Sequence, residues 1–500
     1  MQYQSTRNKS MRFSSSQVIK QGLAQDGGLF VPVSQPSVTL AELADMSKVS
    51  YNERAYRILS KFLTDFTEPE LRECINNAYT KEKFETEAVA PVYKLNEDTF
   101  ILELWHGPTC AFKDMALQIL PHLLTQSAKK TGENKEIVIL VATSGDTGKA
   151  ALEGFKDVAG TRIMVFYPEN GVSEIQKLQM ITQEGNNVHV AAVAGNFDDA
   201  QNGVKAIFTD TAYKALLESN NLMLSSANSI NWGRLVPQIV YYFSAYADML
   251  NSKEIELGQA INIVVPTGNF GNILAAYYAY KMGLPVHKLV CASNENNVLT
   301  EFIKTGVYDR NRKFFTTISP SMDILISSNL ERLLFDVSGE DDELITKLMK
   351  NLAENGRYEI PSEMKEKISG LFWAGSCDDA STMKTIKDTY EAYGYVIDTH
   401  TAVGKKIYDD YKDATGDTHK TIVASTASPF KFNQSVIIAL EGHQVVAGKD
   451  EFTLLSMLSE KSGMKTPKSL ADLQTKPVIY DMSCKKEQMQ QVVSDFLKIE

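Results

Sequence analysis

The chain has 500 residues, of which 43% are hydrophobic and 23% charged, with a formal net charge of −11. That length exceeds one ordinary core, so two or three domains are expected, and the composition supports a large buried interior. The acidic balance argues against unspecific binding to nucleic acid or anionic membrane, and an anionic substrate would need a local positive site. No apolar run reaches the length of about 18 residues that marks a membrane helix. The five cysteines (Cys74, Cys110, Cys291, Cys377, Cys484) are scattered and odd in number. Without C-x-x-C pairs or metal-finger spacing they predict reduced thiols in a cytoplasm and no catalytic metal. The opening MQYQSTRNKSMRFSSS is basic and serine-rich but lacks the apolar core of a secretory signal.

From about residue 40 to 83 the pattern is helical: Tyr51, Ala55, Ile58, Leu59 and Phe62 recur at helix spacing. Thr67, followed by Pro69 and Glu70, predicts a capping-box start. After about Ala90, short β-branched runs at 137–142, 162–166, 188–193, 261–266, 289–293 and 421–425 alternate with amphipathic helices. Such alternation predicts an α/β fold with mainly parallel sheets, in which ligands sit at the carboxyl ends of strands. Residues 308–390 are charged and mostly helical, and read as an insertion on the core.

Three polar turns fall at strand ends. In the first, His106-Gly-Pro-Thr-Cys-Ala-Phe-Lys113-Asp, the lysine stands at a helix start. There the positive end of the macrodipole, with partial burial, would lower its pKa and favour the neutral amine that Schiff-base formation needs. By itself this turn suits a solvated helix lysine better, and His106 a packing or capping role. The second turn, Thr143-Ser144-Gly145-Asp146-Thr147-Gly-Lys149, follows an apolar strand and opens a helix, an anion cradle suited to a carboxylate. It lacks Walker spacing, which disfavours ATP. The third, Thr267-Gly268-Asn269-Phe270-Gly271-Asn272, lets the backbone approach an oxyanion but lacks dinucleotide-binding spacing. A fourth strand ends in Ser425-Thr426, unremarkable alone.

Together, HGPTCAFKD, SGDTGKAA, NSINWGRLVPQ, PTGNFGN and SMDILISSNLERLLF, with the opening GLAQDGGLFVP, resemble the fold type II (tryptophan-synthase-β-like) pyridoxal-phosphate enzymes. More narrowly, their order and spacing resemble the threonine synthases of bacteria and fungi over almost the whole chain. Two departures stand out: Cys110 where that family often has Leu, and STASPFKF where it usually has STAHPAKF, so that Ser428 replaces a histidine and Phe430 an alanine.

The resemblance implies two parallel or mixed-sheet α/β domains and a helical N-terminal region. It divides the chain into 1–92, mostly helical; 93–130 with 225–500, the large cofactor-binding domain carrying the insertion near 308–390; and 131–224, the small domain. It implies pyridoxal 5′-phosphate, held covalently by Lys113, and conversion of O-phospho-L-homoserine and water into L-threonine and phosphate. Lys113 would then move protons at Cα and Cβ. The backbone of Gly268, Asn269, Phe270, Gly271 and Asn272 would hold the cofactor phosphate, with Thr426 at the ring nitrogen and Ser425 as its alternate. Thr143, Ser144, Gly145, Asp146 and Thr147 would hold the substrate carboxylate. Asn231 and Arg234, three residues apart ahead of an apolar helix, would take the substrate phosphate, with Lys149 in a lesser role. Expected partners are the small-molecule substrate and at most a second copy of the chain, as monomer or homodimer. The alternatives are another fold type II lyase, such as a serine or threonine dehydratase or a cysteine synthase, and a catalytically silent cofactor-binding module. Neither lyase alternative needs a second phosphate site, and an intact lysine argues against the silent module.

Overall fold

All six β-branched runs form strands, and they sort into two sheets. A computed structural model describes residues 1–143, 145–169 and 172–499. The larger sheet has the order Phe372–Ser376, Val286–Ser293, Ile261–Pro266, Thr421–Ser425, Thr99–Glu103, Val92–Lys94. Its pairs are parallel except the last, which is antiparallel. Ile261–Pro266 and Thr421–Ser425 are buried along their whole length, as central parallel strands covered on both faces must be. The smaller sheet has the order Ser483–Cys484, Val188–Val193, Thr161–Pro168, Glu136–Ala142, Leu222–Ser225, parallel throughout.

Three sequence expectations are modified. The 308–390 segment is more than an insertion: Phe372–Ser376 is an edge strand of the larger sheet, paired with Val286–Ser293. Its five residues were hidden among charged helices. The chain end does not stay with the larger sheet either. Ser483–Cys484 pairs with Val188–Val193, and Met489, Val492, Val493 and Leu497 join the apolar cluster on that sheet. So short a strand carries almost no periodic signal. The N-terminal region contains helices Leu40–Met46, Tyr51–Phe62 and Glu68–Ala78, but also a three-stranded antiparallel sheet of Tyr3–Ser5, Asn8–Phe13 and Phe30–Pro32. At the start of Glu68–Ala78, the Thr67 N–H donates to Glu70 at 2.7 Å, the reciprocal bond of the expected capping box.

The N-terminal region shares the core of the larger sheet. Tyr3 and Phe62 meet the buried Trp232 edge-on, with ring centroids 5.4 and 5.6 Å apart. Arg7 donates to both oxygens of Glu331 at 2.9 and 2.8 Å, tying the first strands to helix Leu330–Val337. Helix Trp232–Asn251 is buried over nearly its whole length and lies against both Tyr51–Phe62 and Gly271–Lys281. Burial on nearly all sides marks it as a core helix.

Candidate active site

The lysine turn is anchored to the end of Thr421–Ser425 by main-chain bonds. Phe112 N–H donates to Thr426 O at 2.8 Å, Ser428 N–H donates to Cys110 O at 3.0 Å, and Ala111 bridges Ala427. Beneath it, the buried Asp114 carboxylate accepts from the Thr109 N–H and hydroxyl, each at 2.8 Å. Lys113 immediately precedes the helix Asp114–Leu117. Its Nζ donates to Ser321 Oγ at 3.3 Å and lies 3.8 Å from Asp146 Oδ2. Burial pushes the Lys113 amine down to about 8; Asp146 opposes this, while Lys431 and Arg234 reinforce it. Burial and two neighbouring cations, more than the dipole of a four-residue helix, thus produce the expected depression.

The Thr143–Lys149 turn behaves unevenly. Ser144 lies outside the described residues. Thr143 turns its hydroxyl back on the loop and accepts from the Gly145 and Gly148 N–H groups at 3.0 and 2.9 Å. Gly145 has φ +138°, and a Cβ there would meet the Gln176 amide at 2.5 Å, so only glycine fits. Thr147 is half-buried in the first turn of Asp146–Phe155. Asp146 faces Lys113 rather than open space. Its carboxylate pairs with Lys431 Nζ at 3.0 Å and accepts from Gln176 at 2.9 Å and from Ser321 Oγ at 3.3 Å. Lys149 is spent elsewhere, on Glu153 at 3.0 Å and on Gln183, which corrects its expected place near a phosphate.

The glycine loop ends at the start of helix Gly271–Lys281, with Phe270 in the left-handed region at φ +63°. A Cβ on Gly268 would sit 2.6 Å from Ser321 O, so the loop and the Ser321 turn require glycine to touch. The carbonyls of this loop are bonded away from the cleft: Ser327 Oγ donates to Gly268 O at 2.8 Å, and Asn329 Nδ2 to Asn269 O at 3.1 Å. Asn272 turns its side chain inward to accept from the hydroxyls of Tyr241 and Tyr242. At the neighbouring strand end, Ser425 Oγ accepts from Trp105 Nε1 at 3.0 Å and from Thr401 Oγ1 at 2.9 Å. Among the described residues, no protein partner is found for the Thr426 hydroxyl.

Arg234 is buried, and burial lowers its guanidinium to about 10. It donates from Nη1 to Ala227 O at 2.9 Å, its Nε has no partner, and no carboxylate pairs with it among the described residues. Asn231 does not stand free beside it. Its Oδ1 accepts from Gly233 N–H at 2.8 Å and its Nδ2 donates to Ile19 O at 2.9 Å, so its amide caps the helix. This corrects the expected Asn231–Arg234 pair. Arg234, with Lys113 beside it and Lys431 paired to Asp146, therefore supplies the local positive site that the acidic chain as a whole lacks.

The chain as a whole has counterparts among known proteins. A family model described as "Threonine synthase N terminus" matches residues 2–79, "Pyridoxal-phosphate dependent enzyme" matches 85–362, and "Threonine synthase, C-terminal" matches 401–493. A threonine synthase of Pseudomonas aeruginosa is 39% identical over 440 residues, covering 87% of this chain and 90% of its own. The chain belongs to the threonine synthase family. The threonine synthase of Saccharomyces cerevisiae is 38% identical, covering 88% and 89%. A crystal structure of a yeast threonine synthase superposes with TM-score 0.88 at 34% identity, and one of pyridoxal-phosphate-bound threonine synthase from Brucella melitensis with TM-score 0.87 at 34% identity; each covers 99% of both chains. Human threonine synthase-like 1 is 43% identical over 442 residues, covering 86% of this chain; the chain spans 58% of that relative's length.

Within the threonine synthase frame, sequence reasoning missed three groups. Ser321 lies in the quoted SMDILISSN run without an assigned role. Lys431 lies in STASPFKF, where attention went to the altered positions Ser428 and Phe430. His400 stands in the first turn of helix Thr399–Thr415, and its Nε2 accepts from Ser321 N–H at 3.1 Å. The substituted positions are absorbed structurally: Ser428 caps the turn Pro429–Phe432, Phe430 is fully buried, and Cys110 is buried against Ser469. His106 bonds Glu103 at 2.7 Å and stacks on Trp105, a packing role. One cluster, His287, Asp417 and His419, has the composition of a metal site. Its Asp417 oxygens accept from Asn262, Tyr411 and the His419 N–H, and Oδ1 also meets His419 Nδ1 at 2.6 Å, so the carboxylate is engaged within the protein.

Proposed function

We propose that the chain is a threonine synthase that converts O-phospho-L-homoserine and water into L-threonine and phosphate, with pyridoxal 5′-phosphate as cofactor. The observation that carries this reading is the pairing of Lys113, an amine pushed down to about 8, with Arg234, a buried guanidinium that has no carboxylate partner among the described residues. The cofactor fits the residues present. A glycine loop with its carbonyls bonded away leaves N–H groups at a helix start for one phosphate. A neutral hydroxyl, Thr426, at the neighbouring strand end would meet the ring nitrogen. When bound, pyridoxal phosphate supplies the electron sink for carbanionic charge on the substrate.

Lys113 holds the cofactor, takes the proton from substrate Cα and later moves protons at Cβ. Asp146, neutralised by Lys431, steadies the ammonium form of Lys113 between these transfers. N–H groups from Gly268 to Asn272 hold the cofactor phosphate. The turn carrying Thr143, Gly145 and Thr147 would hold the substrate carboxylate, and Arg234 would take the substrate phosphate, because the glycine loop can serve only one of two phosphates. Phosphate leaves from Cγ with its bridging oxygen, and water adds at Cβ. The family match and the unpaired Arg234 both favour this over a dehydratase, which needs no second phosphate site.

No described helix is long and apolar enough to cross a membrane. Five unpaired cysteines support a reducing, cytoplasmic setting, and we propose a monomer or homodimer. The test is to incubate the purified protein with pyridoxal phosphate and phosphohomoserine. Threonine and phosphate should appear in equal amounts; release of a keto acid and ammonia would place the chain among the dehydratases.

A further inference from the structure

We propose that Ser321 is a positioning residue that locks Lys113 to the glycine loop, and that His400, held by Asp398, fixes Ser321 through its main chain; this rests on Lys113 being the cofactor lysine. Ser321 sits in the single turn Pro320–Met322 and makes contacts in three directions. Its hydroxyl accepts from Lys113 at 3.3 Å and donates to Asp146 at 3.3 Å. Its carbonyl packs on Gly268, whose missing Cβ alone permits the approach. Its N–H donates to His400. One residue thus touches the lysine, the turn opposite and the phosphate loop.

A single 3-10 turn holds itself weakly, and a peptide N–H turned away from solvent needs a partner. His400 supplies one. Because Nε2 accepts from Ser321, the ring proton must be on Nδ1, which donates to Asp398 Oδ2 at 2.8 Å. Asp398 is itself fixed by the N–H groups of His400 and Thr401 at 2.9 and 3.1 Å, at the start of helix Thr399–Thr415. The His400 ring packs on Phe432 with centroids 4.8 Å apart, and both His400 and Asp398 are buried. Thr401 continues the network to Ser425 at 2.9 Å, so the same helix start braces the strand end beside the cofactor ring. The bond that joins His400 to the side of Lys113 and the glycine loop is the one it accepts from the Ser321 N–H.

The electrostatic direction follows from the geometry. Asp146 accepts the Ser321 hydroxyl hydrogen, which leaves the Ser321 lone pairs facing Lys113 and favours its ammonium form. Removing the hydroxyl should therefore lower the Lys113 pKa further.

The test uses full-length protein carrying Ser321→Ala, His400→Leu or His400→Gln. One measurement is the pH dependence of covalent pyridoxal-phosphate attachment to the apoprotein, trapped with borohydride and located by mass spectrometry. The other is kcat and KM with phosphohomoserine. Ser321→Ala should move the attachment midpoint below that of the wild type and lower kcat about tenfold, the effect of one lost hydrogen bond, with little change in KM. His400→Leu should match that kcat loss and speed cofactor release. His400→Gln, whose amide oxygen can accept the Ser321 N–H, should recover most of both. An unshifted midpoint with wild-type kcat in Ser321→Ala, or His400→Gln as impaired as His400→Leu, overturns the proposal. If His400→Leu does not fold, the other two variants decide. Failure to trap the cofactor on Lys113 in the wild type would instead refute the cofactor assignment beneath it.

Discussion

Lys431 Nζ lies 3.0 Å from Asp146 Oδ1, an ion pair whose lysine side chain has no solvent exposure. Asp146 opens the helix after a strand of the smaller sheet and Lys431 follows a strand of the larger one, so the pair joins the two sheets beside Lys113. Breaking a buried pair by removing one partner costs about 3–5 kcal/mol. Lys431→Met should lower unfolding free energy by that order in urea titration, and pairing it with Asp146→Asn should restore part of the loss. A single-variant cost below about 1 kcal/mol, the scale of an exposed pair, would show that the two charges are not coupled.

The pair also sets a pH dependence. Burial pushes Asp146 up, but Lys431 and Lys113 outweigh it and hold the carboxyl well below the usual carboxylate range. A carboxyl depressed in the folded state stabilises above its unfolded pKa of about 3.9, and the contribution is lost as pH falls through the folded value. Lys113 is a depressed base at about 8, with the opposite consequence. Its ammonium form opposes folding fully below about pH 8, and the penalty fades as pH rises toward about 10.4, because the unfolded chain binds the extra proton in that window. Attachment of pyridoxal phosphate to the apoprotein should accelerate as pH rises through about 8. In Lys431→Met the midpoint should move upward, because a repelling cation is gone and Asp146 is left to favour the ammonium. A midpoint near the ordinary lysine value in the wild type would contradict the burial of this amine.

Much of the frame was legible because it is local. Strands at 261–266 and 421–425 are short runs rich in β-branched residues, and the Thr67 capping box needs only three residues of spacing. The lysine turn and both glycine turns were also found, since each carries its turn chemistry in consecutive residues. What stayed hidden is non-local. Lys431 meets Asp146 across 285 positions of sequence, and Ser321 meets Lys113 across 208, and neither pairing has a periodicity to betray it. The expected pairing of Asn231 with Arg234 failed for a related reason. Helix spacing put them together, but spacing cannot say that the Asn231 amide is spent capping its own helix against Ile19.

Thr426 and Ser425 should separate cleanly. The Ser425 hydroxyl is braced by Trp105 and Thr401, whereas the Thr426 hydroxyl has no protein partner among the described residues. Thr426→Ala should weaken cofactor retention by about 0.5–1.5 kcal/mol, one neutral hydrogen bond, with thermal stability of the apoprotein unchanged. Ser425→Ala should do the reverse, lowering apoprotein stability. If Ser425→Ala alone loosens the cofactor, the ring nitrogen is met one residue earlier.

Arg234→Ala should leave the cofactor attached to Lys113 and weaken phosphohomoserine by about 1.5–3 kcal/mol, as expected for a lost charge-assisted hydrogen bond. Equilibrium binding of the substrate to the borohydride-reduced protein, which cannot turn over, measures this directly. Unchanged affinity would move the substrate-phosphate site to other residues.

The central claim concerns which bonds break, and turnover in ¹⁸O-labelled water reads them. If the chain eliminates phosphate from Cγ and adds water at Cβ, the label appears in the threonine hydroxyl and the released phosphate carries none. Label in the phosphate, with homoserine as the other product, would show simple ester hydrolysis and contradict the account.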